Sequence, residues 1–345
     1  MELKNSLSLS ERVRGFLSKY TSKVEKNEVA FFAQKSSSNY HSIGNKRVLI
    51  DLNNLNRNQF ISRHFRQVNE ALDEGAMFIG CVQTHQQMRE SRRINKIPVV
   101  KNLYNVIEFG VHRILPKLKY LGKGYKFFMR NGKRRLTKTE VLGRLVRYGF
   151  RIVEVEEDID GKLFFAVEKN GAVKTDQKPS YGPLYKMPRI GKDGKLIHVY
   201  KFRTMHPYSE YLQDYILRNN GYAESGKPAN DFRLTSWGKV MRKYWLDEIP
   251  QLINVVRGEM KIIGVRPVSH RYFEDIPAHI QSLRLKQKPG CIPPYVALNR
   301  ASSKDSVLDA EETYLRLSKD RITRVDTGLV YLAFKNIVIK GKRSA

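Results

Sequence analysis

Apolar positions fall at helical spacing over residues 8–26, with Leu9, Val13, Phe16 and Leu17 on one side, and predict an amphipathic helix. The polar run QKSSSNYHSIGNK that follows reads as a linker. "RVLIDLNNLN" (47–56) opens as a buried strand, a helix continues through Gln67 and Val68, and "EGAMFIGCV" (74–82) reads as a second buried strand. Residues 138–169 read as a helix stopped at Gly149, then a hairpin turning at Asp160-Gly161. "RIGKDGKLIHVYKFRTM" (189–205) predicts another hairpin around Asp193-Gly194, and "MKIIGVRP" (260–267) a short buried strand. The pattern is mixed α/β. A partial Rossmann-like domain precedes a helix-rich domain with a small hairpin or sheet and interfacial amphipathic helices. The boundaries expected are 1–45 for a helix and linker, 46–175 for the first domain, and 176–345 for the second.

Charge changes this picture. The 345 residues hold 63 Lys and Arg against 34 Asp and Glu, a net charge of +29, which points to a polyanionic partner. Cys81 and Cys291 stand far apart without metal-ligand spacing, which fits a reducing compartment and gives neither a disulfide framework nor a zinc site. No stretch reaches the roughly 18–20 apolar residues that a spanning helix needs.

The basic excess is densest between Lys101 and Lys138, where eleven Lys or Arg accompany one acid, Glu108. Within this insert (101–135), Leu115, Pro116, Phe127 and Phe128 are interleaved with bases, a pattern suited to a helix lying among anionic lipid headgroups. A solvated basic helix packed on its own protein is the competing reading. Nucleic acid is a weaker partner, since no RNP-like, KH-like or zinc-finger pattern is present.

Against this background "YWLDEIPQLINVVRGEM" (244–260) keeps two adjacent acids, Asp247 and Glu248, ahead of Pro250. One explanation is local: a helix from about 248 to 257, capped by Asp247 and ended at Gly258. Capping accounts for one acid and leaves the surrounding bases unexplained. Lys201 and Arg203 share a parity on the predicted strand, which suits a phosphate clamp. Arg266, fixed before Pro267, suits a second phosphate contact. A carboxylate near such cations stays ionised and can attack phosphorus, while its neighbour can hold Mg²⁺.

Residues 181 to about 335 resemble the bacterial sugar transferases, the monotopic polyprenyl-phosphate phosphoglycosyl transferases. The resemblance rests on "YKFRTM", the D-x-R-x-T-x-x-G-x-x-x-R run from Asp231 to Arg242, "LDEIPQLINVVRGEM" and "GVRP". It implies that Asp247 attacks the β-phosphate of a UDP-sugar, releasing UMP, and that polyprenyl phosphate then takes up the phosphosugar. It implies Glu248, with Asp247, as Mg²⁺ ligand or proton acceptor, and Lys201, Arg203, Arg266 and Arg242 as phosphate-binding residues. The setting it implies is the cytoplasmic face of a bacterial inner membrane, with an anionic membrane surface as a further partner. The sequence leaves a homo-oligomer open. The apolar re-entrant helix usual in the family does not stand directly before "GPLYKMPRIG", and the Leu103–Leu118 segment is the nearest substitute. Val265 stands where a proline is common. Residues 71–81 and 143–157 also resemble the second half of a class I methyltransferase, without its glycine-rich cofactor loop. A catalytically silent scaffold at a membrane surface is the alternative function.

Overall fold

The strand and helix pattern of the first part of the chain is realised as a five-stranded mixed α/β sheet. The computed structural model describes residues 9–32, 46–91, 134–174, 182–222, 228–301, 303–318 and 324–339, together with Ile107 and Val111. The membrane-contact residues expected in the basic insert, Leu115, Pro116, Phe127 and Phe128, lie outside the described residues. Two compact units are formed, Met1–Tyr181 with His206–Arg233, and Gly182–Met205 with Leu234–Ala345.

In the first unit, α1 (Glu11–Thr21) is capped by Ser10, whose side chain accepts from Val13 N at 3.3 Å. Strands β1 (Val29–Phe32), β2 (Val48–Asp51) and β3 (Met77–Val82) pair in parallel. Helices α2 (Ile61–Ala71), α3 (His85–Glu90) and α4 (Lys138–Arg147) belong to the same unit. Strands β4 (Phe150–Ile159) and β5 (Lys162–Lys169) form the expected hairpin, giving the order β1-β2-β3-β5-β4. Its turn places Asp160 and Gly161 at positive φ (51° and 68°), the geometry that an Asp-Gly pair tolerates.

Alternation along the strands divides the core between two faces. Leu49, Phe78 and Phe165 pack with Phe65 and Val68 of α2 and Leu142 and Leu145 of α4. Ile50, Ile79 and Phe164 pack with Val13, Phe16 and Leu17 of α1. Helix α1 is therefore part of this unit, since the sheet is where its three apolar residues are buried. Residues 206–233, expected in the second domain, also join the first unit, where Leu212 and Ile216 of the stretch around α5 (Gln213–Asn220) enter its core. The Arg144 guanidinium stacks 4.3 Å from the Tyr208 ring centre, and Thr139 Oγ1 donates to Phe232 O.

The second unit contains the hairpin β6 (Leu184–Ile190) and β7 (Leu196–Phe202), turning at Asp193 and Gly194 as expected. Helix α6 (Ser236–Lys243) leads to a 3₁₀ turn, Leu246–Gln251, and then α7 (Leu252–Val256). Strands β8 (Lys261–Ile263) and β9 (Gly290–Ile292) pair in parallel around the short helices α8 (His270–Glu274) and α9 (Ala278–Leu285). Beyond β9 come α10 (Pro294–Ala297), α11 (Lys304–Leu317) and α12 (Arg324–Val338). Ile263, Val265, Ile280, Tyr314, Leu315, Leu329 and Ala333 form the main core. Just past β8, Gly264 meets Gly290 backbone to backbone: a Cβ on Gly290 would fall 2.0 Å from Gly264 N. This contact admits no side chain on either residue.

Candidate active site

The acid pair is set by a reversal that local sequence does not announce. Helix α6 ends at Tyr244, and Trp245 turns into the left-handed region (φ 59°, ψ 13°). Its indole is buried beside Tyr295, Val296 and Ala310. A non-glycine residue held there costs of order 1–3 kcal/mol unless its surroundings fix it, and the buried ring supplies that anchor. The 3₁₀ turn that follows carries Asp247 as its second residue, and no side chain caps it. Asp247 is therefore not the helix cap that sequence predicts, and capping does not explain the acid pair.

Asn254 ties this segment to the hairpin. It is wholly buried, donates to His198 O (2.8 Å) and Glu259 Oε2 (2.6 Å), and accepts from Tyr200 N (3.2 Å). That attachment brings Lys201 to the dyad. Glu248 Oε1 lies 2.7 Å from Lys201 Nζ and 3.4 Å from Arg266 Nη2, while Gln251 Nε2 donates to Oε2 at 2.6 Å. Asp247 is only 8 % exposed, and among the described residues its carboxylate accepts only from its own backbone N–H.

The electrostatics oppose the simple expectation of a readily ionised aspartate. Burial pushes the Asp247 carboxyl above the usual carboxylate range, and Glu248 adds to the rise. Lys201 and Arg242 pull it down in part. Burial likewise pushes the Lys201 ammonium below its ordinary value, with Glu248 opposing and Arg266 reinforcing that shift.

Of the bases expected at the site, Lys201, Arg266 and Arg242 are gathered around the two acids. Arg242 is steadied by Thr204, whose Oγ1 accepts from its Nε at 3.0 Å. Arg203 is a partial case. It stacks 5.3 Å from the ring of Tyr185, the cross-strand neighbour of Lys201, so the two bases do share a face. Its Nε, however, donates to Gly182 O at 2.9 Å, and it makes no hydrogen bond or ion pair with Asp247, Glu248 or Lys201. Strand β7 ends at Phe202, and Arg203 is 7 % exposed, held by the backbone at the hairpin's open end.

Two neighbours were missed. Cys291, on β9, has its thiol pushed up to about 12 by burial and by Glu248. Arg189, on β6, feels the like charge of Arg266 and is depressed chiefly by burial. Only the pairing of distant segments brings either one here.

A divalent cation would have few protein ligands. No cluster of three His, Cys, Asp or Glu suited to a metal lies among the described residues. The two carboxylates nevertheless fit Mg²⁺, which commonly uses one or two carboxylates and takes phosphate oxygens for the rest. Beside them Gln251 Oε1 is a buried oxygen with no hydrogen-bond donor among the described residues.

Comparison with known proteins gives this arrangement a context. Residues 169–338 match the family described as bacterial sugar transferase. An uncharacterized sugar transferase of Haemophilus influenzae is 37% identical over 129 residues, covering 35% of this chain and 26% of that protein. An undecaprenyl-phosphate galactose phosphotransferase of Salmonella typhimurium is 37% identical over 119 residues (32% and 24%). A UDP-glucose:undecaprenyl-phosphate glucose-1-phosphate transferase of Klebsiella pneumoniae is 38% identical over 122 residues (34% and 23%). The chain thus spans about a quarter of the length of these relatives. A solved S-adenosylmethionine-dependent methyltransferase from Mesorhizobium loti aligns with 46% of this chain and 77% of its own, at 14% identity and a TM-score of 0.21, too slight a likeness to carry an argument.

Proposed function

We propose, from the premise that residues 169–338 belong to the bacterial sugar transferase family, that this chain moves a sugar phosphate from a UDP-sugar to polyprenyl phosphate. The products are polyprenyl-diphosphate-sugar and UMP, and the reaction initiates assembly of a surface polysaccharide or glycoconjugate. The names of the Salmonella and Klebsiella relatives support both the undecaprenyl phosphate acceptor and the transferred sugar phosphate. The observation that carries the reading is the division of labour in the dyad. Glu248 takes up Lys201 and Arg266, and among the described residues the Asp247 carboxylate is left with no side-chain donor.

In this mechanism an Asp247 oxygen attacks the β-phosphorus of the UDP-sugar. The bond from that phosphorus to the bridging oxygen breaks, and UMP leaves with the bridging oxygen and its electron pair. An oxygen of polyprenyl phosphate then attacks the aspartyl phosphosugar, and the bond from phosphorus to the Asp247 oxygen breaks, restoring the carboxylate. Lys201, Arg266 and Arg242 hold phosphate oxygens and offset the charge that builds on them. Asp247 and Glu248 would hold Mg²⁺ together with the diphosphate, and that ion supplies charge neutralisation when bound.

A lipid-linked acceptor requires the site to open at a membrane surface. Among the described residues no helix is long and apolar enough to cross a membrane. Leu246, Ile249, Leu252 and Val256 are exposed along the dyad's own segment, with Val240 and Tyr244 exposed just before it. Exposed Lys239, Lys243 and Arg257 stand among them. Apolar side chains edged by bases support attachment to the anionic cytoplasmic face of a membrane.

The test is UMP release from a panel of UDP-sugars with undecaprenyl phosphate and Mg²⁺. Release by the unsubstituted chain and its loss in Asp247→Asn are expected. Undiminished release by Asp247→Asn would remove Asp247 as the nucleophile. Vesicle binding without release from any sugar would favour the silent scaffold.

A further inference from the structure

Arg266 has no regular element of its own to hold it. It lies in the irregular stretch between β8 and α8, with its guanidinium reaching Glu248. Pro267 restricts its backbone but does not orient it. Its peptide groups are gripped from two helices. Arg284, on α9, donates from Nη2 to Arg266 O at 2.5 Å. Glu311, on α11, accepts from the Arg266 N–H. Arg284 Nη1 and Glu311 Oε2 are themselves joined in an ion pair, which closes a ring around one residue's backbone.

Both members are deeply buried, Arg284 at 6 % exposure and Glu311 at 2 %. Burying such a pair is costly, and apolar residues of similar volume often serve stability as well or better. Burial pushes the Glu311 carboxyl up, and Arg284 and then Arg266 draw it back. The pair therefore does more than fill the space between α9 and α11, because the bonds it makes outside itself go to the Arg266 peptide.

We propose that Arg284 and Glu311 are positioning residues that fix the Arg266 backbone so that its guanidinium meets the phosphates of the nucleotide sugar. The inference rests on the phosphate-binding role proposed above for Arg266. Neither residue touches substrate. Their effect passes through Arg266, and that route sets the test.

UDP binding in the presence of Mg²⁺ is measured by calorimetry on four chains: unsubstituted, Arg266→Ala, Glu311→Gln and the double variant. With Arg266 present, Glu311→Gln weakens binding about tenfold; with Arg266→Ala the same change costs less than about twofold. In turnover, the loss enters KM for the nucleotide sugar and leaves kcat nearly unchanged. Equal weakening in both backgrounds, or none in either, overturns the inference alone. No UDP binding by the unsubstituted chain, or binding indifferent to Arg266→Ala, overturns the reading of the site and the inference with it. Should Glu311→Gln lose its cooperative melt, Arg284→Lys replaces it in the cycle. Lysine keeps the charge opposite Glu311 but lacks the fork that also reaches Arg266 O.

Discussion

Lys201 Nζ lies 2.7 Å from Glu248 Oε1, and this pairing leaves the adjacent Asp247 carboxylate, among the described residues, without a cation bonded to it. The two acids, alike and consecutive in sequence, are thereby put to different uses. Glu248 holds the bases in place, and Asp247 keeps its lone pairs available.

Asp247→Asn is expected to lower UMP release by about 10³-fold or more, and also to stabilise the fold at neutral pH. The folded state raises the Asp247 pKa, so its ionised form opposes folding above that pKa. Removing the charge removes the opposition. The gain in melting temperature should be present at neutral pH, shrink as pH falls below the raised pKa, and vanish only below the ordinary aspartate range, where the carboxyl is neutral in the folded and unfolded chain alike. Paired melts at neutral and acid pH decide it.

Glu248→Gln should act in the other direction. Lys201 and Arg266 lose the charge they share, and Lys201 is already depressed by burial. Leaving a buried charge without its partner costs about 3 kcal/mol, read as a lower urea midpoint. Adding Lys201→Met should recover the larger part of that loss. A double variant as unstable as Glu248→Gln would show that the two residues are not coupled.

The pH profile has a definite sign. The attacking carboxylate must be ionised, and its pKa is raised, so kcat/KM should fall on the acid side at higher pH than an ordinary aspartate would give. Arg242 pulls that pKa down. Arg242→Gln should therefore move the acid limb further up, and a downward or absent shift would contradict the role given to Arg242.

Val256 is 88 % exposed and Ile249 nearly half exposed, so glutamate is tolerable at both for folding. Flotation with anionic vesicles should weaken in Ile249→Glu/Val256→Glu while the melt stays within a few degrees. Unchanged flotation, with a loss in Leu115→Glu/Phe128→Glu instead, would assign attachment to the basic insert.

What was legible in the sequence was local. Asp160-Gly161 and Asp193-Gly194 specify tight turns by their tolerance of positive φ, and both hairpins form where expected. The acid pair and Lys201, Arg242 and Arg266 stood out by residue type and motif. The capping role failed because a tryptophan in the left-handed region leaves no compositional signal, and its ring is buried against residues of α10 and α11 that follow it by about fifty positions or more. Cys291, Arg189 and the Arg284–Glu311 ring were beyond reach for a related reason. Each meets the site through strand pairing or helix packing between segments far apart in the chain.

The Gly264–Gly290 contact ties two such segments together. With backbones touching and no side chains between them, there is no compressible layer to absorb a displacement. One glycine stands two residues ahead of Arg266, and the other immediately precedes Cys291. The strand bearing Cys291 and the stretch leading to Arg266 therefore stand at one fixed backbone spacing, and a side chain at either glycine would force the two banks of the site apart.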